Sequence, residues 1–137
     1  MDEEQAREYY IKIKALREQV DKLSQQLNEI DQKTLDIREM IQAVKQASQI
    51  QEGDELLVAL TNGVFIEATA KKPVKLRLNV GADTVVKKTP QETTKLLEQQ
   101  QQELTNFRKQ VRAQRNQAAQ QAQDIEEEVT GHLQEDV

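Results

Sequence analysis

The side chains that most often transfer protons, attack electrophiles or hold metals are His, Cys and paired carboxylates. This chain has one His, His132, and no Cys. Without Cys there is no disulfide, no thiolate zinc site and no Cys nucleophile. His132 has no second His to work with and lies near the chain end, so it reads as an exposed surface residue rather than an acid–base group or metal ligand. Gly53, Gly63 and Gly81 are separated turn glycines and form no phosphate loop. The expectation is therefore a non-enzyme, with no catalytic residue, no metal and no cofactor. Carboxylates gather late, at Asp124, Glu126, Glu127, Glu128, Glu135 and Asp136. This cluster reads as a solvated, fraying helix end, with a docking patch for a basic partner surface as the alternative. Arg108, Lys109, Arg112 and Arg115 sit among Glu and Gln with no aromatic platform, so they read as a solvated face rather than a nucleic-acid site. The net charge of -5 points the same way.

With no chemistry of its own to position, the chain must act through its elements and surfaces. Its 137 residues are 36% hydrophobic, 3% aromatic and 31% charged. Average domains run nearer 45–50% apolar, so a compact monomer with a large core is not expected. The apolar runs are too short to span a membrane. The start Met1-Asp2-Glu3-Glu4 is the opposite of a basic signal region, which predicts a cytoplasmic protein. The 21 Gln residues avoid the window between Glu52 and Pro90, which holds both Pro and most of the Gly. Three parts follow: a helix over 1–50, two β-hairpins over 51–88, and a second helix with an acidic end over 89–137.

The first part repeats apolar residues at alternating spacings of three and four, through Ala6, Tyr9, Ile13, Leu16, Val20, Leu23, Leu27, Ile30, Thr34, Ile37, Ile41 and Val44. Only Thr34 breaks the apolar character. A period of 3.5 sustained over that length predicts a left-handed coiled coil. Some 45 residues reach roughly 65–70 Å at about 1.5 Å per residue. The second helix opens at Thr89-Pro90-Gln91-Glu92. Thr89 is placed to cap, Glu92 to reach back, and Pro90 suits the first helical position. Its seam reads Leu97, Gln100, Leu104, Phe107, Val111, Gln114, Ala118, Gln121 or Ala122, Ile125, and Glu128 or Val129, with a phase break near Gln121. Each helix has one apolar stripe and needs a partner. If the middle turns the chain around they pair antiparallel, with Tyr9 near Val129 and His132.

The middle part reads as four short strands, Glu55 to Thr61, Val64 to Ala70, Val74 to Val80 and Thr84 to Lys88. Asn62-Gly63 is a two-residue hairpin turn whose central positions tolerate positive φ. Lys71-Lys72-Pro73 connects the two hairpins, and Gly81-Ala82-Asp83 turns the second. Two such hairpins are marginal alone and leave open edges. Leu57, Leu60, Val64, Phe65, Ile66, Leu76, Leu78, Val85 and Val86 therefore read as assembly residues, with hairpins of several chains closing a sheet or barrel. A chain this small buries too little by itself. At the helix ends lie the apolar and aromatic residues Tyr9, Tyr10, Ile13, Val129, Leu133 and Val137. Tyr9 and Tyr10 are adjacent, so both cannot face one seam.

The order helix, two hairpins, helix, with Leu57-Val58-Ala59-Leu60-Thr61-Asn62-Gly63-Val64-Phe65-Ile66 and Val80-Gly81-Ala82-Asp83-Thr84-Val85-Val86-Lys87-Lys88-Thr89, resembles the α class of the prefoldin family. The β class has one hairpin. Ala59 stands where a Pro is common and Asp83 where a second Gly is common. The resemblance implies an α+β fold, a long antiparallel coiled-coil hairpin whose two central β-hairpins join an oligomeric β-barrel platform. It implies an ATP-independent holdase, an archaeal-type α2β4 hexamer formed with β subunits. Its coiled coils would hold unfolded polypeptide clients at their tips, here through Tyr9, Tyr10, Ile13, Val129, Leu133 and Val137, and deliver them to a group II chaperonin. Weak contacts at several tips would add through effective concentration. The alternative is a structural coiled-coil tether or dimerisation rod that clamps folded partners.

Overall fold

A computed structural model of the chain describes residues 2–71 and 75–135. Its elements run α1 (Glu3–Ala47), β1 (Glu55–Thr61), β2 (Val64–Thr69), β3 (Leu76–Asn79), β4 (Val85–Lys88) and α2 (Pro90–Glu135). They divide between two compact units, 1–34 with 103–137, and 35–102.

In the first unit, α1 and α2 run antiparallel. Tyr9 meets Glu128, Arg17 meets Glu126 and Asp31 meets Arg108, so positions rise on one helix as they fall on the other. The core is a thin seam of Leu27, Ile30 and Val111, flanked by the partly buried Leu23 and Leu104. Ala118 and Ala122 are also buried. The stripe predicted for α1 is the covered one. From Tyr9 to Val44 each of its positions is partly or fully buried, and only Ala6 stays exposed. Thr34, the polar interruption, keeps its hydroxyl occupied by donating to the Ile30 carbonyl at 2.9 Å, so it sits in the stripe with its polar group satisfied. Asp2 caps α1, its Oδ1 accepting from the Gln5 amide at 2.8 Å.

The seam of α2 differs from the sequence expectation. Gln100, Phe107 and Gln114 are exposed, and so are Gln121 and Glu128. From Leu97 onward the covered stripe runs through Leu97, Gln101, Leu104, Arg108, Val111, Arg115, Ala118, Ala122, Ile125 and Val129, with Glu126 partly buried beside it. The stripe alternates four and three without interruption, so there is no phase break near Gln121. The sequence reading chose Phe107 because it is apolar. The fold instead half-buries Arg108 and Arg115, whose guanidinium groups donate to Asp31 and to Asn116.

In the second unit, Ile41, Thr93 and Leu97 are buried where the two helices continue. Thr89 caps α2, its Oγ1 accepting from the Glu92 amide at 3.1 Å. The Glu92 carboxylate does not return to the Thr89 amide. It lies 4.0 Å from the Lys88 ammonium instead. β1 and β2 pair antiparallel, from Glu55 opposite Thr69 to Ala59 opposite Phe65, and the register shifts between Ala59 and Thr61. Gly63 has φ +79°, but Asn62 is not among the non-glycine residues with positive φ. The turn is therefore not the mirror-type turn expected at Asn62-Gly63. The single left-handed glycine is joined to a bulge that leaves Leu60 outside the pairing. β3 and β4 pair antiparallel from Leu76 opposite Lys88 to Asn79 opposite Val85. Their loop carries Gly81, Ala82 and Asp83 all at positive φ. The Asn79 Oδ1 accepts from the Gly81 amide there, at 2.9 Å. Of the expected third strand, Val74 lies outside the described residues, as do Lys72 and Pro73 of the connection.

Candidate functional site

The candidate assembly residues fall into two groups. Because alternate residues of a strand face opposite sides, the β1–β2 register puts Leu56, Val58, Ile66 and Ala68 on one face and Leu57, Ala59 and Phe65 on the other, with Glu55, Glu67 and Thr69. Both faces carry large apolar side chains. Leu57 is 70% exposed, Leu60 60% and Phe65 57%, and Val64 and Ile66 are about as open. The second hairpin is one-sided. Leu76, Leu78 and Val86 are partly buried on one face, and Val85 on the other is exposed. The structure thus concentrates uncovered apolar surface on the first hairpin and at Val85. Leu76, Leu78 and Val86 are already partly covered within the chain.

The helix-end candidates also separate. Tyr9, Ile13 and Val129 are partly buried in the seam of the first unit. Tyr10 points outward at 68% exposure, beside Ile11 at 65%. Ile11 was absent from the sequence-derived set, although an apolar residue off the heptad stripe is the signal that could have found it. The Leu133 side chain and Val137 lie outside the described residues. The Tyr9 hydroxyl donates to the Glu128 carboxylate at 2.9 Å. That bond, with the negative charges of Glu128 and Glu8, lifts the phenol above its ordinary pKa. Glu128 and Glu126, two members of the acidic cluster, thereby meet Tyr9 and Arg17 of α1. Arg108 donates to Asp31 at 2.7 Å. That hydrogen bond and the adjacent charge raise the guanidinium further above its ordinary value. His132 is exposed. Among the described residues no cluster of His, Cys, Asp or Glu could hold a metal, and no helix is long and apolar enough to cross a membrane.

Two antiparallel helices joined through a pair of β-hairpins, with uncovered apolar strands and little private core, define a coiled-coil subunit. The family model described as "Prefoldin subunit" matches residues 16–135, and the chain belongs to the prefoldin family. Among its relatives are the prefoldin subunit alpha of Methanococcus maripaludis strain C7, 31% identical over 85 residues, and that of Methanococcus vannielii, 29% identical over 89 residues. The first match takes in 62% of this chain and 57% of that relative, the second 65% and 59%. The chain thus spans rather less than two thirds of these relatives' length. A chain of the filamentous PFD of Methanocaldococcus jannaschii, solved by cryo-electron microscopy, superposes with a TM-score of 0.76. It is 19% identical, and the superposition covers 87% of this chain and 98% of that one. This likeness confirms the coiled-coil hairpin with two small β-hairpins as the fold.

Proposed function

We propose that the chain is an α-class subunit of a prefoldin-type chaperone. It binds unfolded or nascent polypeptides without ATP and passes them to a group II chaperonin. The observation that carries this reading is the first hairpin, whose two faces both present uncovered leucine, valine and phenylalanine. A two-stranded ribbon of that kind is not stable alone in water and calls for the hairpins of neighbouring subunits. Assembly with β-class subunits in an α2β4 hexamer would cover it and set several helix ends side by side. Tyr10 and Ile11 then offer weak apolar contacts that gain strength by repetition. Assembly is assigned to Leu57, Leu60, Val64, Phe65, Ile66 and Val85, with Leu76, Leu78 and Val86 supporting from the inner face. Client contact is assigned to Tyr10, together with Tyr9, Ile13, Val129, Leu133 and Val137. A cytoplasmic location accords with such a role.

The test is light scattering from a chemically denatured protein diluted without ATP. The samples contain this chain alone, the chain with a β-class subunit, or neither. Suppression by the mixed complex is the expected result. A well-formed complex that leaves aggregation unchanged refutes the holdase. In the same system Leu60→Asp with Phe65→Asp dissociates the complex while helical circular dichroism persists; an intact hexamer refutes the platform assignment.

A further inference from the structure

From 51 to 70 the chain has Glu52, Asp54, Glu55 and Glu67 and no Lys or Arg. From 71 to 88 it has Lys71, Lys72, Lys75, Arg77, Lys87 and Lys88 against the single acid Asp83. A basic island of this density is unusual in a chain whose net charge is -5. The fold gathers four of these cations, Lys71, Lys75, Arg77 and Lys87, round one crevice of the second unit, together with Ile50, Leu56 and Ala70. The three apolar residues are half-buried and form its floor, and the four cations are exposed on its rim. Two backbone hydrogen bonds fix the floor by tying the end of β2 to the turn after α1. The Gly53 amide donates to the Ala70 carbonyl at 3.0 Å, and the Ala70 amide to the Asp54 carbonyl at 2.9 Å.

No acid lines the crevice, and none of its four cations forms an ion pair among the described residues. The carboxylates of the first hairpin are placed elsewhere. Glu55 and Glu67 lie on the ribbon face opposite to that of Leu56, and the Asp54 carboxylate accepts from the Gln51 amide at 2.8 Å. Arg77 stands directly opposite Lys87, a like-charge pairing that destabilises the ladder and that a bound anion relieves. None of the lining residues is among those assigned to assembly.

We infer that this crevice docks an acidic peptide segment of a partner protein, one with carboxylates on either side of an aliphatic side chain. The aliphatic group meets Ile50, Leu56 and Ala70, and the carboxylates meet the four cations. A cluster of one sign also raises the local concentration of such a segment. A nucleic-acid strand matches less of the site. No aromatic side chain lines the crevice for a base to stack on, and an apolar floor offers nothing to phosphate. The site uses none of the residues assigned to client contact, and so stands apart from the holdase reading.

The experiment is fluorescence anisotropy of a labelled peptide of alternating glutamate and leucine, titrated with the full chain alone and in complex with a β-class subunit. The comparison probes are the same peptide with lysine for glutamate, the same with serine for leucine, and a thymidine oligonucleotide of equal charge. The glutamate–leucine peptide binds more tightly than all three, and its binding weakens as salt rises from about 50 mM to about 500 mM. Arg77→Gln with Lys87→Gln weakens it by about tenfold or more. That pair removes the like-charge opposition, so the urea midpoint does not fall and the loss is not misfolding. Lys71→Gln with Lys75→Gln also weakens binding, whereas Lys109→Gln with Arg112→Gln, an equal loss of charge on α2, leaves it unchanged. Absence of binding overturns the inference, as does binding that survives both crevice pairs. Equal or tighter binding of the oligonucleotide overturns it in favour of a general polyanion site. Binding by the chain alone but not by the mixed complex overturns it by making the crevice part of the assembly surface.

Discussion

Phe107 and Ile30 provide a sharp test of where the core lies, because side-chain size and position in the fold predict opposite rankings. Both belong to the first unit. Phe107 is 43% exposed, whereas Ile30 is 3% exposed and packs with Leu27 and Val111. Truncating a buried Phe costs about 3–5 kcal/mol, and a buried Ile about 2–5 kcal/mol. If Phe107 were a knob of the seam, as its apolar character suggests, Phe107→Ala would be the more damaging change. Its position in the fold says otherwise. The ring keeps much of its surface in water, and Ala in an exposed helix position returns about 0.5 kcal/mol of propensity. Phe107→Ala should therefore cost less than about 1 kcal/mol. Ile30→Ala removes three carbons from the seam, worth about 2.4 kcal/mol at roughly 0.8 kcal/mol each, plus a cavity term. The seam is thin and close to solvent, which keeps that term small, so a loss of about 2–3 kcal/mol is expected. Urea unfolding followed by far-ultraviolet circular dichroism, at one protein concentration, measures both. A Phe107→Ala loss equal to or above that of Ile30→Ala refutes the four–three seam assigned to α2.

Thr89→Ala removes the oxygen that accepts from the Glu92 amide and should lower stability by about 0.5–2 kcal/mol in the same urea titration, with Thr89→Ser restoring most of it. Glu128→Gln should bring the Tyr9 phenol down toward its ordinary pKa, because the hydrogen bond and charge of Glu128 are the leading causes of its elevation. Phenolate absorbance in a Tyr10→Phe background reads this directly. The sign for stability follows. A pKa raised on folding favours the protonated phenol in the native state, so this contribution is complete below the unfolded value. It is lost as pH climbs through the folded one, and alkaline destabilisation should be shallower in Glu128→Gln.

Much of this architecture was legible along the chain because it rests on local rules. The seam of α1 follows from periodicity alone, since a helix repeats its faces every seven residues whatever it packs against. The first strand begins and ends at Glu55 and Thr61 as expected, and Thr89 caps α2 through a contact only three residues long. The α+β coiled-coil hairpin was readable from that order of elements, and the prefoldin family from that order together with the residues of 57–66 and 80–89. The α2 seam was not, because Leu, Phe, Gln and Arg compete for covered positions there. The winner depends on which side chains lie against α1. Nor could sequence say that Asn62 keeps an ordinary backbone while Leu60 bulges, since several turn geometries suit Asn-Gly.

The charges of the two hairpins were present in the sequence from the start, as four acids and then six bases. Charge counts carry no register. Only strand pairing sets Arg77 across from Lys87 and gathers Glu55, Glu67, Leu57 and Phe65 on one face. Heptads determined that this chain forms helices with one sticky stripe, because that property is local and periodic. Which side chains close the α2 seam and which strand face stays bare were decided by tertiary structure. Each depends on what lies across from a residue in space, and spacing along one chain does not contain that.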